Sequence, residues 1–229
     1  MPSKKLSLIF FLFSSLLLCQ KANSQEVQIL FPHLYFGDEV ELSLQKRDWI
    51  GLYEGENQFT LEPAQVTITL TQHHMTDADG EKTGKRVSAV PKRPFMLISD
   101  LEELSLGPVN HVELKKTNLS PGDTVHIDLF EKRYQLIASG GIGEQGGVQG
   151  YQVILQSGDK RQLIGESDFL DDAEFRVIWA GDLDGDQELD LLMDLSHKYS
   201  FGLFSLFMSS KKQTGQLLYL TAQHLMYYD

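Results

Sequence analysis

Cysteine is almost absent from this chain, which has one among 229 residues, and basic residues are also few. A single thiol excludes the small secreted folds that disulfides hold together. The 20 Lys and Arg residues stand against 32 Asp and Glu, which argues against nucleic acids and anionic membranes as partners, because both recruit clusters of basic side chains. The hydrophobic fraction of 41% is nevertheless that of an ordinary globular protein.

The first 24 residues have the pattern of a secretory signal peptide. Lys4 and Lys5 precede a predominantly apolar run at residues 6–18, and Ala22-Asn23-Ser24 has the small-x-small pattern of a cleavage site. The run is shorter than the roughly 20 apolar residues that cross a bilayer as a helix, so no membrane span is expected. We therefore predict cleavage after Ser24 and a secreted or periplasmic protein.

A lipid anchor at Cys19 is the alternative fate of this segment. Leu16-Leu17-Leu18-Cys19 resembles a lipobox, but that motif has Gly, Ala or Ser immediately before the cysteine, where this chain has Leu18. Lipidation is therefore not expected. Cleavage after Ser24 would remove three lysines and the cysteine, leaving 17 basic against 32 acidic residues. Multivalent cations are the natural counter-ions of such a chain.

Short β-branched and aromatic segments separated by turn residues follow the signal peptide, and almost none has the spacing of an amphipathic helix. The clearest is Val66-Thr67-Ile68-Thr69-Leu70, in which apolar and polar residues alternate. The predicted strands are 39–44, 49–53, 65–71, 86–90, 95–98, 109–114, 124–130, 134–138, 150–156, 161–164, 175–180, 189–195, 203–209 and 216–226. This series predicts an all-β fold of antiparallel sandwich or barrel-like sheets, with little helix.

One compact β-rich unit over residues 25–229 is the predicted domain organisation. Two halves, 25–120 and 121–229, also fit the size of typical domains. The best boundary, 118–123, contains Pro121-Gly122 but no low-complexity linker. No repeat of fixed period appears, which argues against a propeller or a solenoid.

Four aspartates lie within nine residues, at Asp182, Asp184, Asp186 and Asp190. Their charges would repel one another strongly unless a cation lies between them. Oxygen ligands in a flexible loop suit calcium, which takes about 6 to 8 of them. We predict one structural Ca²⁺ held by these carboxylates and by the main-chain carbonyl of Glu188, whose own side chain is expected to face water. An acidic turn without an ion is the alternative.

The spacing D-x-D-G-D-x-x-x-D at 182–190, followed by Leu191-Leu192-Met193-Asp194, resembles the calcium loop of FG-GAP or VCBS-type repeats in integrin-like propellers. The resemblance covers 178–194 and implies the same structural calcium site. An EF-hand is excluded, because Gln187 and Met193 stand where that loop has Gly and a bidentate Glu. Gln187 also departs from the FG-GAP pattern, which usually has Gly there, and a single copy cannot build a propeller.

Other patterns have simpler structural explanations. His73-His74 and the acidic segment 77–81 could form a zinc cluster, but a polar loop between strands is favoured. The glycine-rich segment 141–146 precedes a predicted strand rather than a helix, so it does not predict a dinucleotide site. Trp49 and Trp179 lie inside apolar runs and are expected in the core rather than as carbohydrate platforms.

The sequence favours a secreted, non-enzymatic β-rich protein with a structural calcium site, serving adhesion or the binding of an unidentified protein or glycan. The alternative is a secreted hydrolase in which calcium holds the scaffold. Activity stays an open question, although the chain has no Gly-x-Ser-x-Gly motif and no visible triad. The hydrolase hypothesis requires His and acidic residues to converge in one concave pocket.

Overall fold

The computed structural model describes residues 26–143, 147–170 and 173–228. The signal peptide predicted at 1–24, including Cys19, lies outside these residues. Within them the chain forms sixteen β-strands and one short 3-10 helix, which confirms the all-β prediction. No helix in the described ranges is long and apolar enough to cross a membrane.

The strands are numbered in chain order. They are β1 Gln28–Leu30, β2 Leu34–Tyr35, β3 Trp49–Glu54, β4 Phe59–Thr71, β5 Gly84–Val90, β6 Met96–Ser99, β7 Gly107–His111, β8 Asn118–Leu119, β9 Thr124–Leu129, β10 Lys132–Ile142, β11 Val148–Ser157, β12 Lys160–Leu170, β13 Phe175–Asp182, β14 Asp190–Asp194, β15 Phe201–Met208 and β16 Tyr219–Tyr227. The 3-10 helix, Leu42–Lys46, lies between β2 and β3.

The larger sheet is barrel-like. Its main path runs β1-β6-β3-β4-β7-β13-β14-β15-β16, and the two end strands, β1 and β16, lie against each other, so the sheet is nearly closed. Strands β5 and β2 extend from β4, and β8 pairs with β13. Every strand pair along the main path is antiparallel, as the alternating sequence pattern predicts.

A second antiparallel sheet has the order β12-β11-β10-β9. The two hydrophobic cores meet at β13, which contributes Phe175 and Val177 to the core beneath the smaller sheet and Trp179 to the core of the barrel-like sheet. A bulge between Val177 and Trp179 makes this possible, because an extra residue reverses the face to which the following side chains point. Segments on both sides of 118–123 therefore share their packing through one strand.

The predicted strand at 39–44 is wrong. Its apolar residues Val40, Leu42 and Leu44 alternate as in a strand, but Leu42 begins the 3-10 helix and is 40% exposed. The Trp49 indole donates a hydrogen bond to the Leu44 carbonyl at 2.8 Å, which satisfies the helical backbone from outside. Elsewhere the alternation holds: along β4, Val66 is buried.

Candidate metal centre

The aspartate loop joins β13 to β14, which are antiparallel neighbours with Gly181 opposite Asp190. Asp182 ends β13 and Asp190 begins β14, so the pairing of the two strands alone brings these carboxylates together. The backbone between them folds back, and one carboxylate oxygen from each of Asp182, Asp184 and Asp190 lies within 4.8 Å of the other two. Three of the four predicted carboxylate ligands therefore form one cluster.

Backbone amides hold Asp182 in place. Its Oδ1 accepts a hydrogen bond from the Gly185 amide at 2.8 Å, and its Oδ2 accepts one from the Gln187 amide at 3.1 Å. Gly185 has φ +86° and Gln187 has φ +62°, so two left-handed residues wrap the chain around this carboxylate. The loop is thereby shaped around Asp182 before any ion is considered.

Asp190 is fully buried, with no exposed surface. Its Oδ2 accepts from the Leu183 amide at 2.7 Å and its Oδ1 from the Ser209 amide at 2.8 Å. Ser209 directly follows β15, so Asp190 connects the loop to the end of β15. A buried carboxylate needs such donors, because an unpaired one is costly.

Asp184 has one carboxylate oxygen that makes no hydrogen bond of ordinary geometry within the described residues. Its Oδ1 accepts from the Asp186 amide at 3.2 Å, whereas its Oδ2 is buried and has no hydrogen-bond partner among the described residues. The Ser210 hydroxyl nevertheless interacts with this carboxylate and lowers its pKa, against the larger effect of burial. The protein therefore satisfies the Asp184 carboxylate only in part.

Burial raises the pKa of all three clustered aspartates. The effect is largest at Asp190, where burial, increased by the negative charges of Asp184 and Asp186 and opposed by the amides of Ser209 and Leu183, raises the pKa to about 8. Burial is also the main cause at Asp182 and Asp184. A divalent cation among these oxygens would favour their charged forms and thereby lower the pKa values that burial raises.

Asp186, the fourth predicted carboxylate ligand, does not join this cluster, and Glu188 is predicted to bind only through its main-chain carbonyl. Asp186 accepts from the Ser209 hydroxyl and from the Glu188 amide, both at 2.7 Å. The Glu188 side chain does not simply face water, which corrects that expectation: it is about a third exposed and forms ion pairs with Lys132, at 2.9 Å, and with Lys212. Both side chains therefore hold the loop in place.

The two lysines lower the pKa of Glu188, Lys212 more than Lys132. Lys132 begins β10 in the smaller sheet, and Lys212 lies beyond β15 in the larger one, so Glu188 links the metal loop to both sheets. The spacing within 182–190 contains no sign of these lysines or of Ser209. They come from segments 19 to 56 residues away, and only the fold brings them to the loop.

The other candidate site at His73-His74 has the geometry of a polar loop. His73 is buried and stacks on His74 with ring centroids 5.5 Å apart. Asp77 accepts hydrogen bonds from the His73 amide at 2.9 Å and the Thr83 amide at 2.8 Å. The Thr83 hydroxyl and these amides lower the pKa of Asp77 to about 2.

Two further sequence predictions can be compared with the structure. Trp49 and Trp179 are 3% and 5% exposed, which confirms them as core residues. The glycine-rich segment is followed by β11 and not by a helix, as predicted, although its residues 144–146 lie outside the described ranges.

Comparison with known proteins finds no matching family model, no matching curated protein and no matching solved structure. The resemblance of 178–194 to FG-GAP and VCBS-type loops therefore stays a prediction from residue spacing. What the geometry adds is a loop that closes three carboxylates into a buried cluster between two paired strands.

Proposed function

We propose that this chain is an exported, non-enzymatic β-rich binding protein in which one structural Ca²⁺ ties β13 to β14. The observation that carries the proposal is the cluster of Asp182, Asp184 and Asp190, which offer one carboxylate oxygen each within 4.8 Å of the other two and are buried or half-buried. Three carboxylates in such proximity repel one another, and a doubly charged cation relieves the repulsion.

Calcium is the ion that this donor set favours. The cluster offers carboxylate oxygens and contains neither His nor Cys, which excludes the usual ligands of zinc and copper. Calcium accepts irregular loops and completes its shell with main-chain carbonyls and water, whereas magnesium requires a stricter octahedron. The carbonyl of Glu188 and the carboxylate of Asp186 are the proposed additional ligands from the same loop. Asp186 reaches the ion only by turning away from the Ser209 hydroxyl or the Glu188 amide, to which it is hydrogen-bonded.

The ion would act on stability. At millimolar external calcium and a dissociation constant of about 10⁻⁴ M, binding to the folded state alone contributes on the order of 1.4 kcal/mol. For a protein of this length such a gain raises Tm by roughly 3–6 °C. Export fits this role, since calcium is at millimolar concentration mainly outside cells.

Thermal unfolding with calcium and with a chelator tests the proposal. We expect the Tm in 1 mM calcium to exceed that in chelator by the amount above. Asp184→Asn should abolish the difference, because the amide keeps the size of the side chain but supplies no charge to the ion. Asp159→Asn, at the exposed β11–β12 turn, is the matched control and should retain the difference. Superimposable curves for the unmodified protein would contradict the proposal.

A secreted hydrolase remains the second candidate, and one observation favours it. His111, Glu54, Glu56 and Glu113 line a common cleft, as a catalytic pocket requires. However, the three glutamates are exposed, whereas acid–base catalysts usually lie where water is excluded. A turnover screen with glycans and peptides decides between the two: activity that Glu56→Gln or Glu113→Gln removes would favour the hydrolase.

A further inference from the structure

The four residues after β15, Ser209-Ser210-Lys211-Lys212, lie against the aspartate loop, and we call them the β15 end segment. Ser209 is buried and makes two contacts with the loop. It donates its amide to Asp190 Oδ1 at 2.8 Å and its hydroxyl to Asp186 Oδ2 at 2.7 Å. The end of β15 is thereby held against the start of β14.

The β15 end segment also contacts two further acidic residues of the loop. The Ser210 hydroxyl interacts with the Asp184 carboxylate, and Lys212 forms an ion pair with Glu188. The loop therefore receives hydrogen-bond donors and positive charge from this segment at every second position from 184 to 190. Crowded carboxylates need such partners when no cation neutralises them.

Asp186 is the predicted ligand on which these contacts and the proposed ion make opposite demands. Its carboxylate does not join the cluster, because the Ser209 hydroxyl holds Oδ2 and the Glu188 amide holds Oδ1, both at 2.7 Å. The Glu188 amide belongs to the loop and can move with Asp186. Ser209 cannot follow, since it is buried and its amide is bound to Asp190. The Ser209 hydroxyl is therefore the contact that Asp186 must lose in order to reach the ion.

We propose that the Ser209 hydroxyl competes with calcium for Asp186, holding this carboxylate in the ion-free protein and releasing it when the ion binds. The inference rests on the calcium site proposed above and adds a change in the position of one side chain. The Ser209 amide takes no part in the exchange, because its acceptor, Asp190, already belongs to the cluster. Calcium affinity is then lower than the loop alone would give, by the strength of the hydrogen bond that is lost.

Calorimetric titration of the full protein with calcium chloride, before and after Ser209→Ala, tests the competition. The variant keeps the amide bond to Asp190 and removes only the hydroxyl. We expect it to bind calcium about tenfold more tightly, because Asp186 no longer gives up a hydrogen bond to a charged group. In chelator the variant should have a lower Tm than the unmodified protein, since the ion-free state has lost that bond. A hydroxyl with a structural role alone would leave calcium affinity unchanged or reduce it.

Ser205→Ala is the matched control. Ser205 is a buried serine of β15 whose hydroxyl donates to the Leu203 carbonyl at 3.3 Å and accepts from the Gln223 side-chain amide at 2.9 Å. Its removal should lower Tm equally in calcium and in chelator and leave calcium affinity unchanged. If Ser205→Ala tightens calcium binding as much as Ser209→Ala does, a general loosening of β15 explains the effect and the proposal is wrong.

A double-mutant cycle identifies the acceptor. Asp186→Ala should weaken calcium binding, and adding Ser209→Ala to that variant should change the affinity no further, because the carboxylate for which the hydroxyl competes is gone. A tenfold gain that persists without the Asp186 carboxylate would show that the hydroxyl acts elsewhere and would overturn the proposal.

The failure of this inference can be told apart from the failure of the calcium site. If the unmodified protein binds no calcium, the site itself is refuted and the competition with it. If the unmodified protein binds calcium and Ser209→Ala binds it equally or more weakly, the site stands and only the competition is refuted.

Discussion

Gln187 adopts a left-handed backbone conformation, with φ +62°, in the middle of the aspartate loop. The position is the one at which FG-GAP loops usually have Gly, and the conformation supplies a physical reason for that preference. A side chain with a Cβ is strained there, although the Gln187 amide still reaches Asp182 Oδ2. Having Gln187 in place of Gly therefore strains the backbone, but it removes no ligand from the loop.

Replacing this residue should therefore stabilise the protein. We expect Gln187→Gly to raise the free energy of unfolding by roughly 0.5–1 kcal/mol, since it removes the strain and keeps the amide. Urea denaturation measures the change. Gln213→Gly, at an exposed turn residue without positive φ, is the matched control and should be neutral or destabilising. A loss of stability in Gln187→Gly would mean that the Gln187 side chain stabilises the loop by more than the left-handed backbone strain destabilises it.

His224 makes stability depend on pH. Burial against Tyr35 and Phe31 lowers its pKa to about 4, and its Nε2 has no partner among the described residues. Below the usual histidine pKa of about 6.5, His224 is protonated in the unfolded chain but stays neutral in the folded chain. Stability is therefore unaffected above that pH and falls as pH drops towards 4, by on the order of 3 kcal/mol.

His224→Phe should remove this part of the acid sensitivity. Unfolding free energies measured between pH 7 and pH 4 should fall less steeply in the variant than in the unmodified protein. His126→Phe, at an exposed histidine on β9, should leave the slope unchanged. Parallel pH profiles for His224→Phe and the unmodified protein would contradict the assigned cause.

At the residue scale the sequence predicted part of the site. Asp182, Asp184 and Asp190 could be found because the loop is local and its spacing carries the geometry. Ser209 and the lysines that hold Glu188 could not, because they depend on which distant strands pair. The ion pairs of the Glu188 side chain were missed for the same reason.

At the element scale, β13 connects the functional features. Its bulge sends Trp179 to the core of the barrel-like sheet, and its last residue, Asp182, begins the metal loop. Gly181 lies between them at a point where β7 approaches closely: a Cβ there would lie 2.2 Å from the Asn110 carbonyl oxygen. The absence of a side chain at Gly181 is what permits this strand pairing.

Gly181→Ala should separate β7 from β13. We expect a loss of roughly 3 kcal/mol or more, because the clash involves backbone and cannot be relieved by a rotamer change. Calcium affinity should fall as well, since Asp182 is the next residue. Thermal unfolding and calcium titration measure the two effects. Gly141→Ala, which meets no atom within 4 Å, is the control and should be nearly neutral.

Most strands could be predicted from alternation and turn residues, but their order could not. Alternation along 65–71 identifies a strand with one buried face, which the structure confirms in β4. The pairing of β1 with β6, or of β7 with β13, joins segments about seventy residues apart, and no local pattern encodes it. The strand predicted at 39–44 is wrong for a different reason. Three alternating apolar residues resemble a strand there, although the backbone forms a 3-10 helix.

At the scale of the whole molecule, the two hydrophobic cores share β13, β14 and β15. Trp179, Leu192 and Leu206 complete the core of the N-terminal strands, although they lie far beyond the boundary suggested at 118–123. Removing residues 121–229 would expose that core, so we expect neither of the two possible halves to fold without the other.

Unfolding should therefore be a single transition. We expect the calorimetric and van't Hoff enthalpies to agree in the presence of calcium, and the fragment 25–120 expressed alone to lack the dispersed methyl resonances of a folded core. Two resolved transitions, or a fragment that folds by itself, would contradict this and support two independent domains.

The two sheets differ in how far their edge strands are open to pairing with another chain. The end strands β1 and β16 of the barrel-like sheet lie against each other and so cover one another, whereas β9 and β12 are the terminal strands of the smaller sheet. Charged residues such as Lys160 and Arg161 on β12, and Asp128 on β9, stand along those margins and repel a docking strand. Fibril formation under partly denaturing conditions would accordingly start from the smaller sheet, and neutralising these charges would hasten it.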